Sequence, residues 1–517
     1  MKIMKQAQIF RIWASALVLL TAAGAWAAGP WYVATNGVDS NAGTSWDVPF
    51  LTISNALTNA STGGDTIWVS NGVYTLTATV SNPAAKKFNI RAWSTNPANT
   101  VLCGPGSNDV VNFRGVWMSG TGSLQGFTVT NFYLTNENRG AGVYCDAGLI
   151  SNCVISGNLM GYNAGAVGSI SASGGGVFLI GGGVIENCSI IGNRIHPADY
   201  DSGGGGVRIY NSGSQIRNCR IVGNIIGGAL NGAGVYASSY AVIQDSVIAS
   251  NIGGTAGGAI TLAGGAISNC LVFANSAGSI GGIYVSGGAS PPICRIEHCV
   301  VSNNSGVKYG GCSIYGTITN VLISQCSIVS NYCEKRATGG LGVENTVANI
   351  WIRNCLVAYN RADMGWGESG YDGCGMRVRA TNALIENCTI VSNTLTGAKG
   401  AGLCVTNGAR VVNSVIYHNS GVTASNVYAS ADCTFSNCCT APLPSLGTAN
   451  TDANPQFVAK DTGNFRLAAR SPCINTGMYQ DWMTGAVDLD GRKRIRYGTV
   501  DMGAYERIYE GSIYTVH

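Results

Sequence analysis

Apolar and polar residues alternate along most of the chain in short runs. In "GGGVIENCSIIGN" (residues 181–193), Ile185, Cys188 and Ile190 share one side and the residues between them are polar. A period of two over so few residues predicts strands. The same unit recurs. "ISNCVISGN" ends at Asn158, "IRNCRIVGN" at Asn224, "ISNCLVFAN" at Asn275, "IRNCLVAYN" at Asn360 and "IENCTIVSN" at Asn393. Variants end at Asn251, Asn304, Asn331 and Asn419. In all ten copies a polar residue stands six positions before the final Asn, while the copies themselves are 24 to 35 residues apart. A second run follows a Gly cluster in each copy, as in "GGVFLI" (residues 175–180), "GGVRIY" (residues 205–210) and "GGIYVS" (residues 281–286).

Several short strands per repeat, with a period above 20, predict a solenoid. Strand–crossover–strand connections are right-handed. The expected fold is therefore all-β: a right-handed parallel β-helix. Equivalent residues of adjacent coils then lie one strand spacing apart, about 4.8 Å. Two Asn ladders follow, one through Asn152, Asn187, Asn218, Asn269, Asn354, Asn387 and Asn413, the other through Asn158, Asn193, Asn224 and their successors. Asn tolerates left-handed turns, and stacked amides can bond one another. The Gly clusters are expected at sharp corners, where positive φ is needed.

Regular coils are expected over residues 141–440. Residues 28–140 should hold an N-terminal cap and degenerate first coils, with "DTIWVS" (residues 65–70) and "KFNIRAW" (residues 87–93) as strands. "VPFLTISNALTNAS" (residues 48–61) has the spacing of a short amphipathic helix, with Ile53, Ala56, Leu57 and Ala60 on one face. A solenoid needs its ends protected, so this helix is the expected N-terminal cap and residues 441–517 the C-terminal capping module.

Composition narrows the class. The 517 residues include 73 Gly and only 11% charged residues, which argues against long helices and against a disordered chain. A net charge of +4 spread over the chain leaves no nucleic-acid footprint. The densest basic run, "GRKRIRYG" (residues 491–498), reads as a solvated loop. Lys2, Lys5 and Arg11, the apolar "WASALVLLTAAGA" (residues 13–25) and Ala25-Trp26-Ala27 have the form of a signal peptide, residues 1–27. No other run reads as a membrane span, and the mature chain is expected to be a secreted or surface-exposed monomer.

Secretion permits disulfides among the 19 cysteines. The residues after the first Asn ladder run Cys153, Cys188, Cys219, Ser246, Cys270, Cys299, Cys326, Cys355, Cys388, Ser414, Cys438. Every uninterrupted run of Cys is odd, and the strand spacing is longer than the usual Cβ separation of a disulfide, about 3.5–4.5 Å. A mostly reduced stack is expected, with small size as the requirement. No CxxC pair occurs, and no metal site is expected.

"WYVATNGVDSNAGTSWDVPFLTISNAL" (residues 31–57) with "GDTIWVSNGVYT" (residues 64–75) resembles the opening of secreted pectate-lyase-like β-helix proteins. "SPCINTG" (residues 471–477) with "DLDGRKRIRYGTVDMGAYE" (residues 488–506) resembles the C-terminal motif of bacterial choice-of-anchor Q proteins. The resemblance implies a bacterial secreted or surface protein. It does not decide activity, since this superfamily includes lyases, hydrolases and adhesins. Asp488, Asp490 and Asp501 in the second motif read as hydrogen-bonding residues of a cap loop.

Alternation points one stripe outward on the strand after each Gly cluster: Tyr144, Phe178, Arg208, Tyr236, Thr261, Tyr284, Ser313, Glu344, Arg377 and Cys404. The next outward position carries Asp146, Tyr210, Tyr315 and Arg379. In the resembled lyases this sheet lines the substrate groove. Rings can hold the faces of sugars, and arginines can grip carboxylates or sulfates. Tyr144, Phe178, Arg208, Tyr210, Tyr236, Tyr284, Tyr315, Arg377 and Arg379 are therefore the candidate glycan-binding residues of a non-catalytic surface protein. The alternative is a polysaccharide lyase acting on a uronic-acid-containing polymer. β-Elimination needs a base, for which Lys308, Arg208, Arg377 and Arg379 are candidates, and only this alternative calls for Ca²⁺. Exposed rings can also merely stack on one another, and Glu344 with Arg377 can be a plain salt bridge. Asp146 and Glu344 stand too far apart for hydrolase chemistry.

Overall fold

The computed structural model describes residues 30–507 apart from residues 61–63, 83–86, 107–111, 136–138, 162–172, 197–202, 212, 229–230, 256, 288–293, 336–337, 345–346, 364–372, 397–398 and 423–424. The expected signal peptide lies outside the described residues. The chain winds into a right-handed parallel β-helix. Each regular coil contributes two segments to a 27-stranded sheet, such as Val177–Leu179 and Val184–Glu186, then one strand to a 14-stranded sheet, such as Ser189–Ile191. A two- or three-residue strand, such as Arg194–Ile195, completes the turn before the next Gly cluster. Pairing is parallel and in register: Ile155 faces Ile190, and Ile190 faces Ile221. These inward residues are fully buried. The degenerate first coils are present, with Thr66–Val69 and Asn89–Ala92 paired to each other.

The two Asn ladders do different work. Asn152, Asn187, Asn218 and their equivalents adopt φ near +50°. They are turn residues, and their amides bond along the stack only in places, as from Asn269 to Asp245 at 3.1 Å. The second ladder is continuous and buried. Asn304 Nδ2 donates to Asn331 Oδ1, and Asn331 Nδ2 to Asn360 Oδ1, each at 3.0 Å. The left-handed residue there is the one before the Asn, such as Gly192, Ser250 or Ser330.

This ladder also accounts for the Gly clusters. Few Gly of these clusters have positive φ: Gly174 and Gly204 do, whereas neither Gly of the pairs 281–282, 310–311 and 339–340 does. The others are needed for space. A Cβ on Gly176 would stand 2.7 Å from Gly206 O and 2.9 Å from Asn193 Nδ2.

All 19 cysteines are free thiols. Small size is not the whole requirement at the inward position. Each Sγ turns back onto the carbonyl two residues before it: Cys188 to Glu186 O at 3.1 Å, Cys355 to Arg353 O at 3.1 Å. Ser246 and Ser414 make the same contact to Gln244 O and Val412 O. The position takes a short side chain with a donor, which is why Ser replaces Cys and Ala does not. Burial pushes the thiols of Cys145, Cys294 and Cys438 up to about 12, and 18 of the 19 cysteines are buried away from any reagent. Unreduced protein should therefore show almost no fast reaction with a thiol reagent when native, and close to 19 reactive thiols in denaturant. Finding at most one after unfolding would mean that the stack is oxidised.

The helix Ile53–Asn59 closes the N-terminal end with Ile53, Ala56 and Leu57 buried, and Thr52 caps it by accepting from Asn55 N at 3.2 Å. The C-terminal module first covers the last coil, Gly447–Thr448 pairing in parallel with Thr434–Ser436 and Thr451 with Cys439. It then runs back along the side of the solenoid. Asn437 donates to Thr476 O, Asn413 to Met478 O, Asn387 to Asp501 O, and both Asn354 and Gln325 to Val487 O. The first Asn ladder is thus a track of amides that reads carbonyls of the returning chain. Phe465, Ala504 and Tyr505 then cover Leu356, Ala358 and Val391, outward residues of the 14-stranded sheet. Asp488 and Asp501 behave as loop hydrogen bonders: Asp488 accepts from the backbone N–H of Asp490, Arg492 and Glu506, and Asp501 from those of Asn475 and Arg507.

Candidate functional site

Pairing fixes the outward stripe as Tyr144, Phe178, Arg208, Tyr236, Thr261, Tyr284, Ser313, Gly342, Arg377 and Cys404. Gly342, not Glu344, holds the place between Ser313 and Arg377. Glu344 belongs to the second row, its N–H bonding to Ile314 O beside Tyr315. The stripe is also less solvated than alternation implies. Phe178, Arg208 and Arg377 are 1%, 2% and 1% exposed, whereas Tyr144, Tyr236, Tyr284 and Arg379 are half-buried and Tyr210 and Tyr315 exposed.

The upper part of the stripe closes on itself. The Tyr144 and Phe178 rings stack at 5.3 Å, and Phe178 stacks on Tyr210 at 6.1 Å. Arg139 lies over Phe178 and Tyr210, and Arg208 lies 3.6 Å from the Tyr236 centroid. Guanidinium and ring cover one another, which is why Phe178 and Arg208 lose their solvent. A desolvated pair of this kind is worth about 2 kcal/mol. This stretch is a zipper holding coils together.

Farther along, the same face opens into a cavity of about 480 Å³ lined by Ser279, Ile280, Tyr284, Lys308, Tyr309, Ser313, Tyr315, Glu344, Arg377 and Arg379. Four of the candidate residues meet here: Tyr284, Tyr315, Arg377 and Arg379. At its base Arg377 Nη2 donates to the Tyr309 hydroxyl oxygen at 3.1 Å and to Glu344 Oε1, and the Tyr309 hydroxyl in turn donates to Glu344 Oε1. Burial and then the Glu344 charge, against the opposing pull of Arg377, push the Tyr309 phenol well above its ordinary value. It stays protonated across the neutral range. Burial disfavours the charge on Arg377, but Tyr309 and Glu344 more than offset this and raise its pKa. Burial also raises Tyr284.

Tyr309 and Gly342 were not among the candidates. Gly342 makes room for the ring, since a Cβ there would stand 2.4 Å from Tyr309 Cε1. The available signal was "KYGG" (residues 308–311), a cation and a ring directly before a Gly pair.

The cavity thus offers the Tyr284 and Tyr315 rings, the cations Lys308 and Arg379, and a protonated phenol. Among the described residues its one carboxylate is Glu344, held by Arg377 and Tyr309, and a second carboxylate of the kind that hydrolysis would need is not found among them. The donors do not suit Ca²⁺ either: that ion takes six to eight oxygens, several of them carboxylate, and no group of three or more His, Cys, Asp or Glu able to hold a metal occurs among the described residues.

With coil geometry and register in hand, the sequence matches the right-handed β-helix region family over residues 114–328 and 278–440, and the chain belongs to that family. Solved structures similar to it include pectate lyase Pel9A, at 16% identity over 94% of this chain and 98% of that one with a TM-score of 0.35. PfbA, a surface adhesin of Streptococcus pneumoniae, matches at 11% identity over 75% and 88% with a TM-score of 0.31. Tailspike protein 3 of bacteriophage CBA120 matches at 16% over 82% and 65% with a TM-score of 0.33. Likenesses this distant concern the fold and not a shared ligand. No curated protein sequence matches. Among the described residues no helix is long and apolar enough to cross a membrane.

Proposed function

We propose that the protein is a secreted, monomeric, non-catalytic β-helix protein that holds a glycan in the cavity between Tyr284 and Arg379. The observation that supports this is one cavity walled by two rings and two cations, in which the carboxylate found among the described residues, Glu344, is occupied. A pyranose face stacks on Tyr284 or Tyr315, and Arg379 and Lys308 meet an acidic substituent. Tyr144, Phe178, Arg208, Tyr210 and Tyr236 support the scaffold and not the ligand.

A panel of acidic and neutral polysaccharides tests the reading. Tyr284→Ala with Tyr315→Ala should weaken binding about tenfold, each stacking contact being worth roughly 0.5–1.5 kcal/mol. The melting temperature should barely move for Tyr315→Ala alone, since surface changes cost within about 0.5 kcal/mol, and fall modestly when the half-buried Tyr284 is removed as well. No binding across the panel would remove the proposal. The second reading, a lyase acting on a uronic-acid-containing polymer, has in its favour Lys308 beside the protonated Tyr309. Unsaturated products that vanish in Lys308→Ala would decide for it.

A further inference from the structure

The basic run at residues 491–498 is more than a solvated loop. Its carboxylate neighbours are turned inward: Asp488, Asp501 and Glu506 are 1%, 2% and 3% exposed and occupied by backbone N–H groups. Arg494 is buried with them and donates to Asp501 O and Gly503 O. The remaining cations face out. Asp490 is shared between Arg466 and Arg492, leaving that group with net positive charge. Arg496 bonds only a carbonyl, Arg507 O, and Lys493 is exposed; among the described residues neither makes an ion pair with a carboxylate.

These cations flank a two-residue turn. Arg496 and Thr499 exchange backbone hydrogen bonds of 3.1 and 2.9 Å, and Tyr497 and Gly498 between them have φ of +51° and +78°. A turn of this form favours Asn-Gly or Gly-Gly. Here a tyrosine adopts the left-handed conformation and is 89% exposed. Neither burial nor turn preference accounts for a ring in that place. Arg492, Lys493, Ile495, Arg496 and Tyr497 together surround an open depression of about 540 Å³.

We propose that this hairpin is a membrane-contacting tip that docks the protein on an anionic phospholipid bilayer, its cations on the headgroup phosphates and Tyr497 at headgroup depth. Guanidinium groups match phosphate geometry, tyrosine favours the membrane–water interface, and basic side chains are drawn to anionic leaflets. A projecting ring with cations around its base fits a surface met tip-first, whereas a soluble polymer would call for a track of charge along the side. Attachment of this kind is weak and reversible.

The test is co-sedimentation of the full secreted chain with phosphatidylcholine vesicles, with and without phosphatidylglycerol. Binding is expected only with phosphatidylglycerol and should fall as salt is raised. Lys493→Gln with Arg496→Gln should weaken it about thirtyfold, from roughly 1 kcal/mol per cation. Tyr497→Ala should weaken it further, and melting of every variant should match the parent. Tyr284→Ala should leave vesicle binding unchanged, which separates this site from the glycan cavity. Absence of binding to phosphatidylglycerol vesicles at low salt would overturn the proposal. So would undiminished binding by the double variant, or binding to soluble inorganic polyphosphate without binding to vesicles.

Discussion

Asn331→Gly is expected to destabilise the protein as severely as Asn331→Ala, whereas Asn218→Gly should be nearly silent. The contrast separates a ladder that needs an amide from one that needs a backbone angle. Asn331 is 1% exposed. Its Oδ1 accepts from Asn304 N and Nδ2, and its Nδ2 donates to Val301 O and Asn360 Oδ1, at 2.9–3.0 Å. Truncation leaves the Asn304 N–H and the Val301 carbonyl without these partners in the interior, each costing about 1–3 kcal/mol. A loss of about 3–5 kcal/mol is expected for both variants. Asn218 is exposed with φ +50°. Glycine occupies that region without strain, so a change within about 1 kcal/mol is expected. Asn218→Val should cost about 1–2 kcal/mol, the left-handed penalty of a residue with a Cβ. Urea unfolding of the four variants decides. An Asn331→Gly protein within 1 kcal/mol of the parent would mean that the buried amides are dispensable.

Both ladders are legible in the sequence because stacking demands the same side chain at the same turn of every coil. Their different roles are not, since Asn serves a left-handed turn and a buried amide network equally well. The outward stripe shows a second limit. "GGLGVENT" (residues 339–346) offers Gly342 and Glu344 as alternatives for one place. A slip of one residue would reverse the faces, but a slip of two keeps them, so alternation cannot tell these apart. Only pairing of Gly342 with Ser313 and Arg377 does. The burial of Phe178 and Arg208 was equally hidden, because it comes from Arg139 and Tyr236 on other coils and not from strand periodicity. The C-terminal module has no repeat. Nothing in its pattern shows that it would follow Asn437, Asn413, Asn387 and Asn354 back along the solenoid.

That returning module should be held most firmly at mildly acidic pH and loosen as pH rises toward 9. Glu506 is buried, and burial pushes its carboxyl from an ordinary 4.5 up to about 8; the neighbouring Arg494 opposes this, and Asp501 and Asp488 reinforce it. Burial raises Asp501 as well and lowers Arg494. The sign follows from where the proton sits. Below the unfolded value of 4.5 Glu506 is protonated in both states and contributes no dependence. Between 4.5 and about 8 the folded protein keeps the proton that the unfolded chain has lost, so rising pH favours unfolding. Above about 8 the loss is complete. At about 1.4 kcal/mol per unit of pKa, the span from 4.5 to about 8 amounts to as much as about 5 kcal/mol. The module rests on Asn-to-carbonyl bonds and on one apolar patch around Phe465 and Tyr505, so a change of that size should open it before the coils beneath it. Hydrogen exchange of residues 471–507, corrected for the intrinsic pH dependence of exchange, should show more protection at pH about 5.5 than at about 8.5. Glu506→Gln, neutral at every pH, should flatten the difference while leaving the coils of residues 141–320 as protected as before. An equal slope in Glu506→Gln and the parent, or protection that grows with pH, would place the titration elsewhere.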